Sequence, residues 1–373
     1  MTPSDGTVVG TTRIVDNGSP ECRFNLVLVA EGYRQAELGQ FATDTQQFVN
    51  TLFATPPFDA LQTAFNVYRV DVASTDSGAD DPAACGGTGA VAATFFDASF
   101  CNAGIRRLLL VDTPSVVNVV NGQVPQWHQI LVVVNSPIWG GAGGTIGTTS
   151  TAGGWEGIAI HEMGHAAFGL ADEYEYWAGC GVDTTQDTYA GPEPTQPNIT
   201  ADSNRATIKW RDLVLASTPM PTTSNADCTQ CDSQPSPVPA GTVGAFEGAG
   251  YFHCGLFRPE FDCMMRNLSG FCAVCRRRIR ETLAPFIPPS CPAPVFRASP
   301  RWLCLLLAVV YGIVLIILSL TALVLGVLCA IARLFGGGEA LCRRLAHVRC
   351  RIRQVRFRLA NCGRGNSDPC LGL

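Results

Sequence analysis

His161 and His165 bracket Glu162 in the run His161-Glu162-Met163-Gly164-His165, in a chain that has only five His in all. Side chains four apart fall on one face of an α-helix, so both imidazoles can turn a ring nitrogen onto one Zn2+. Glu162, next to the first imidazole, reaches the open side of such an ion rather than the ion itself. There it can take a proton from a water whose acidity the metal has raised, and pass it to a departing amine. The same Zn2+ cofactor polarises a carbonyl, so one turn of helix carries both halves of peptide-bond hydrolysis. The surrounding Ile158, Ile160, Met163, Ala166 and Ala167 are apolar, and burying Glu162 and two His among them is costly without a partner. The chemistry indicated is a zinc metalloendopeptidase acting on a protein or peptide substrate, with Glu162 as general base.

Three protein ligands leave one tetrahedral position open for chemistry. Gly169 can end a helix spanning about 155–168 in a left-handed cap, turning the chain so that Asp172 approaches the metal as third ligand. Glu173 and His253 are the alternatives. For an oxyanion-stabilising group Tyr174, His253 and Arg258 are candidates, and none stands out by position. That gap motivates a competing reading, a zinc-binding scaffold or binding module without turnover. Two Cys-x-x-Cys pairs, Cys228/Cys231 and Cys272/Cys275, fit either a structural four-Cys zinc site or disulfides.

The run HEMGHAAFGLADEYE resembles the active-site segment of the IgA-peptidase-type zinc metallopeptidases, relatives of the metzincins. Ala30-Glu31-Gly32-Tyr33 is similar to that family's first strand and turn, and residues 65–78 to its next strand and loop. Residues 130–144 resemble its edge strand and Gly-rich loop. Cys263-Met264-Met265-Arg266-Asn267 with Cys272-Ala273-Val274-Cys275 is similar to its Met-turn and closing Cys pair. The resemblance spans roughly residues 10–285. It implies a metzincin-like fold with substrate laid antiparallel along the edge strand, and Met264 or Met265 as a floor beneath the ligands. Commoner metzincins place Gly seven residues after the first His and the third ligand at ten; here Phe168 and Ala171 hold those places and Asp172 comes at eleven.

The elements that must position these residues read as an α/β domain with a mixed, twisted sheet and an active-site helix. Residues 25–30, 66–72, 105–111 and 130–135 are strand-like apolar runs, and 35–53 carries helix-spaced Leu38, Phe41, Phe48 and Leu52. Between them, Asp76, Asp80 and Asp81 sit in a Gly-rich loop that is either a calcium loop or simply solvated. Residues 178–250 are rich in Pro, Thr, Ser and Gly and read as long loops, with one short helix at 206–215 and a glycosylation sequon at Asn198-Ile199-Thr200.

The chain of 373 residues divides into a metallopeptidase domain (1–287), a Pro-rich linker (288–301), a transmembrane helix (302–332) and a basic amphipathic tail helix (333–373). No charged residue occurs from Trp302 to Ala332, a run longer than the roughly 20 residues that span a bilayer. Nine Arg against Glu339 and Asp368 give the tail +7, leaving −12 on the rest of a chain whose net charge is −5. Such a tail suits anionic lipid on the cytoplasmic side rather than nucleic acid, which places the catalytic part outside. Residues 1–19 are polar and show no signal-peptide core, which leaves that orientation open. The 11 Cys before residue 300 lean toward an oxidising compartment, and their odd number leaves at least one thiol unpaired or metal-bound.

Overall fold

Thr and Val intersperse along β1 (Gly6–Val15), whose Thr7, Val9 and Thr11 face solvent while the strand pairs antiparallel with β3 (Phe65–Ser74). Every residue of β2 (Phe24–Glu31) and β4 (Gln129–Val134) is buried, the composition of parallel strands covered on both faces. The computed structural model describes residues 5–176, 180, 187–291, 319–325, 327–328 and 330–331. In it these strands join β5 (Gly141–Ala142) and β6 (Gly147–Ser150) in one twisted, six-stranded sheet of order β1-β3-β2-β4-β6-β5. β2 runs parallel to β3 and β4, and β6 parallel to β4; β1 and β5 are antiparallel margins, so the sheet is mixed.

Helices cover this sheet. α1 (Leu38–Ala54) buries Phe41, Phe48, Val49 and Leu52 along one face. α2 (Thr113–Gln123) starts with Pro in its first turn, where the missing N–H is harmless. α3 (Trp155–Phe168) carries the HExxH run and lies against β4, β5 and β6, flanked by α1, α4 (Met264–Asn267) and α5 (Ala273–Leu283). Its last residue, Phe168, packs beside Phe24 and Phe58, which fixes the end of the helix. A separate hairpin, β7 (Phe246–Ala249) and β8 (Phe252–Arg258), turns on Gly250 and Tyr251. Apart from one short turn at Arg211–Leu213, described residues between 187 and 245 are loop. The helix expected at 206–215 reduces to that turn.

Two strand expectations change. Residues 130–134 are not an edge: β4 lies between β2 and β6 because its six residues are buried on both faces. The sheet margin at the site is the two-residue β5. Residues 105–111 are not a regular strand either, since a turn (Leu108 N–H to Ile105 O, 3.1 Å) and the Asn102 amide on Leu108 O break it. The segment nonetheless borders β5, with Gly141 N–H donating to Arg107 O at 3.2 Å. Asp76, Asp80 and Asp81 accept main-chain N–H bonds from Ala93, Ala92 and Thr88, so they tie up their own loop. Asn198 is fully buried with its amide engaged, which removes it as a glycosylation site.

Four disulfides are formed: Cys22–Cys291, Cys85–Cys101, Cys180–Cys231 and Cys228–Cys254. The first joins the segment just ahead of β2 to the far end of the described domain. The chain separates into two units, Met1–Pro292 and Ala293–Leu373. Among the described residues no helix is long and apolar enough to cross a membrane. The expected span at 302–332 and the basic tail at 333–373 fall largely outside the described residues; within them 319–325, 327–328 and 330–331 are helical.

Candidate metal centre

On α3, His161 and His165 present their Nε2 atoms 3.1 Å apart. The helix ends at Gly169, whose φ of 64° is the left-handed conformation that glycine adopts without strain. The chain then doubles back so that Leu170 O meets His165 Nδ1 at 2.7 Å, and Asp172 Oδ1 comes to 3.0 Å from His161 Nε2 and 3.2 Å from His165 Nε2. Asn198 clamps this return with a pair of hydrogen bonds to Ala171, each 2.8 Å.

The tautomers follow from the partners. His161 Nδ1 faces Met264 O at 3.0 Å and His165 Nδ1 faces Leu170 O; a carbonyl oxygen only accepts, so each Nδ1 carries the hydrogen. Both neutral rings therefore aim an Nε2 lone pair at the other and at the Asp172 carboxylate. Three lone pairs within 3.0–3.2 Å repel unless a cation lies among them. With bonds of about 2.0–2.1 Å, a tetrahedral metal places its ligand atoms about 3.3 Å apart. The residues present thus fit a bound metal. In the metal-free chain protons take its place. Burial opposes charge on the rings, yet Asp172 and Glu162 outweigh it, raising His161 and pushing His165 up to about 9. Burial likewise opposes charge on Asp172, but the two imidazoles hold it far below the usual carboxylate range.

Glu162 sits beside His161 and His165, against the sheet margin. A Cβ at Gly143 would lie 2.8 Å from Glu162 Oε2 and 2.7 Å from His165 Cβ, so only glycine lets the chain approach this closely. Burial pushes the Glu162 carboxyl up, while the two imidazoles and Arg107 pull against that shift. Beneath α3, a Cβ at Gly164 would meet Met265 Sδ at 2.6 Å. Met265 is therefore the thioether packed under the helix, and Met264 contributes the carbonyl that orients His161.

A family model described as IgA Peptidase M64 matches residues 12–238 and 233–283. The chain belongs to the IgA peptidase M64 family. It is therefore a metallopeptidase, a hydrolase of peptide bonds that uses a metal cofactor and acts on protein or peptide substrates. Among curated proteins none matches it.

Of the peptidase's other proposed ligands, neither alternative reaches the group formed by His161, His165 and Asp172. Glu173 points away into a cluster of buried thiols, and His253 lies beside Glu175, 4.0 Å from its carboxylate. Arg258 donates instead to Glu247 O and Gly248 O. The two Cys-x-x-Cys pairs do not meet as one four-Cys site: Cys228 and Cys231 are each used in disulfides, because Cys254 on β8 and Cys180 stand closer. Cys272 and Cys275 stay reduced.

Tyr174 does lie at the site. Its ring stacks on His161 at 6.3 Å, and its hydroxyl accepts from Arg107 Nη2 at 3.3 Å. Two residues absent from the sequence reading complete the surround, Arg107 and Tyr251. Gly250 and Tyr251 both have positive φ, 57° and 72°, as a two-residue hairpin turn with the twist of its strands requires. A Tyr in that conformation is strained. The strain is held because Gly250 N–H donates to Asp172 O (3.1 Å) and Tyr251 N–H to Tyr174 O (3.0 Å), docking the turn on the ligand loop. The Tyr251 hydroxyl then donates to Asp172 Oδ2. Burial and the Asp172 charge both raise the Tyr251 phenol, which keeps it a donor. Tyr251→Phe retains the ring and removes this bond. Metal affinity is expected to fall roughly ten- to a hundredfold, as for other partners of metal ligands, with metal-free stability lowered by about 1.5–3 kcal/mol because a buried carboxylate oxygen loses its donor. A competition titration against a chromophoric chelator reads the first and thermal melting the second.

Proposed function

We propose that this metallopeptidase is a zinc-dependent endopeptidase with His161, His165 and Asp172 holding the ion and Glu162 as general base. The observation that carries the reading is the convergence of three lone pairs beside a buried carboxylate, at one wall of a cleft of about 560 Å³. The donor set, two imidazoles and a carboxylate with a fourth position open, is that of catalytic zinc. Zinc held there supplies Lewis acidity toward the scissile carbonyl and the attacking water.

The chain's own residues account for the rest. Glu162, its carboxyl raised by burial, accepts the proton of the attacking water and delivers it to the leaving amine. Arg107, with the Tyr174 hydroxyl to which it donates, brings positive charge and a hydrogen-bond donor to the His161 side of the cleft, where charge on the substrate oxygen would develop. Residues 141–143 form the wall beside Glu162, and their lack of bulk suits an extended peptide. The apolar lining from Leu108, Ile199, Phe252 and Leu256 offers a side-chain pocket.

We further propose an extracytoplasmic catalytic domain held at a membrane by residues 302–332, with the Arg-rich tail on the cytoplasmic side. The four disulfides favour an oxidising compartment, and the charge-free run and the basic tail favour the orientation.

The test is digestion of an unfolded protein such as reduced casein by the full chain, with products sequenced by mass spectrometry. Internal cleavage abolished by 1,10-phenanthroline and restored by added zinc is the expected result. Release of terminal residues alone, or cleavage indifferent to the chelator, defeats the reading.

A further inference from the structure

Cys263, Cys272 and Cys275 form no disulfide, and all three are buried. Cys263 immediately precedes α4, Cys272 caps the start of α5, and Cys275 lies within its first turn. Glu173 sends its carboxylate among them. Cys263 Sγ and Cys275 Sγ are 3.8 Å apart, and Glu173 Oε1 lies 3.3 Å from Cys275 Sγ and 3.8 Å from Cys272 Sγ. The four donor groups bring one ligand atom each to within 4.8 Å of all the others. A tetrahedral ion with bonds of about 2.3 Å to sulfur and 2.0–2.2 Å to oxygen has edges of about 3.8 Å between sulfurs and about 3.5 Å from sulfur to oxygen. The observed separations match those edges.

Two more features call for a cation. Glu173 is fully buried, and among the described residues no donor reaches its Oε2; an unpartnered carboxylate oxygen in the interior is strongly destabilising. The sulfurs also accept main-chain hydrogen bonds, from Cys272 N–H to Cys263 Sγ (3.4 Å) and from Cys275 N–H to Cys272 Sγ (3.3 Å). Such donors favour thiolate, the form that binds metal. Three thiols cannot all be consumed by disulfides, whereas three thiolates and a carboxylate complete a closed tetrahedral set.

We propose that Cys263, Cys272, Cys275 and Glu173 form a second metal site that takes one zinc ion in a structural role. The site abuts the first. Glu173 follows Asp172 in the chain, Cys263 precedes Met264, whose carbonyl orients His161, and Glu173 N–H donates to Met265 O at 2.8 Å. An ion here ties the ligand loop, the Met turn and α5 together at a single point.

The test is metal content of the purified full chain by inductively coupled plasma mass spectrometry, with cobalt substitution as a second readout. Wild type is expected to hold two zinc ions per chain, and His161→Ala/His165→Ala one. That remaining ion, exchanged for Co2+, should give thiolate-to-cobalt charge-transfer absorption in the near ultraviolet. Cys272→Ser/Cys275→Ser should lose one ion; if that variant does not fold, Glu173→Gln, with the thiols intact, should bind the ion at least tenfold more weakly. The inference is overturned if wild type holds one ion that the His double variant loses, or if an unreduced peptide map finds two of the three cysteines joined. A single ion that survives in the His double variant would instead uphold this site and remove the catalytic one.

Discussion

Glu162→Gln is expected to lower kcat by about 10²–10⁴ while the metal stays bound and KM changes little. Gln has the same shape, so the close fit against Gly141 and Gly143 is kept, but it cannot accept the proton of the attacking water. Because the residue contributes no ligand atom to the His161, His165 and Asp172 group, metal content serves as the internal control. Stability supplies a second. Burial raises the Glu162 carboxyl, so the fold disfavours its charged form, and native stability falls as pH rises from the usual Glu value through the raised one. The neutral amide removes that cost. A variant that melts at or slightly above the wild-type temperature, holds its metal and turns over slowly meets the expectation. One that retains wild-type kcat refutes the assignment of the base.

Asp172→Ala should have the largest effect on the metal itself. It deletes the one anionic ligand and leaves two imidazoles whose lone pairs face each other across 3.1 Å; metal content at micromolar concentration should fall to near nothing, and activity with it. The pH behaviour of the metal-free chain tests the same contact by another route. His165 is raised to about 9 in the folded chain, so its contribution to stability is fully present below the unfolded value of about 6.5 and is lost as pH rises through 9. Asp172 is depressed, so its contribution is present above its unfolded value and lost as pH falls through the depressed one. The metal-free protein should therefore be less stable at pH 9 than at pH 6 as far as this cluster is concerned. Metal, which must displace the proton from His165, should bind about tenfold more tightly per pH unit up to about 9. Asp172→Ala should flatten both trends, since the hydrogen bonds and charge of Asp172 are gone and only Glu162 still opposes the effect of burial on the imidazoles. Thermal melts and metal titrations at pH 6, 7.5 and 9 check this; a stability slope unchanged by the substitution would contradict it.

What the sequence disclosed and what it hid have physical reasons. The HExxH helix is local: spacing alone puts His161 and His165 on one face, and Gly169 marks the turn that brings Asp172 back. β2, α1, β3 and β4 are continuous or periodic apolar runs and were legible as such. β1 was not, because its Gly- and Thr-rich run is half exposed at the sheet margin, nor was α2, whose several Val residues are weak helix formers. Tyr251 lies 79 residues from Asp172 and meets it only through the docking of the β7–β8 turn; its one local trace is a Gly-Tyr pair between apolar runs. Glu173 was weighed as a ligand beside His161 and His165, but its carboxylate lies among the buried thiols instead. Asp172 Oδ1 meets the two imidazoles while Glu173 Oε1 lies beside Cys272 and Cys275, so the neighbouring carboxylates belong to different clusters. The Cys-x-x-Cys spacing left Cys228 and Cys231 open between a four-Cys zinc site and disulfides; both form disulfides, with distant partners that only the folded loops bring near.

The Cys22–Cys291 bond spans 269 residues and attaches the end of the domain to the segment before β2. Tension applied to the chain beyond residue 291 is delivered through that bond to the root of a central strand. The load path bypasses α5, the ligand loop and the hairpin turn that seats Tyr251. A chain closed this way can be loaded beyond residue 291 without the geometry around Asp172 being stretched.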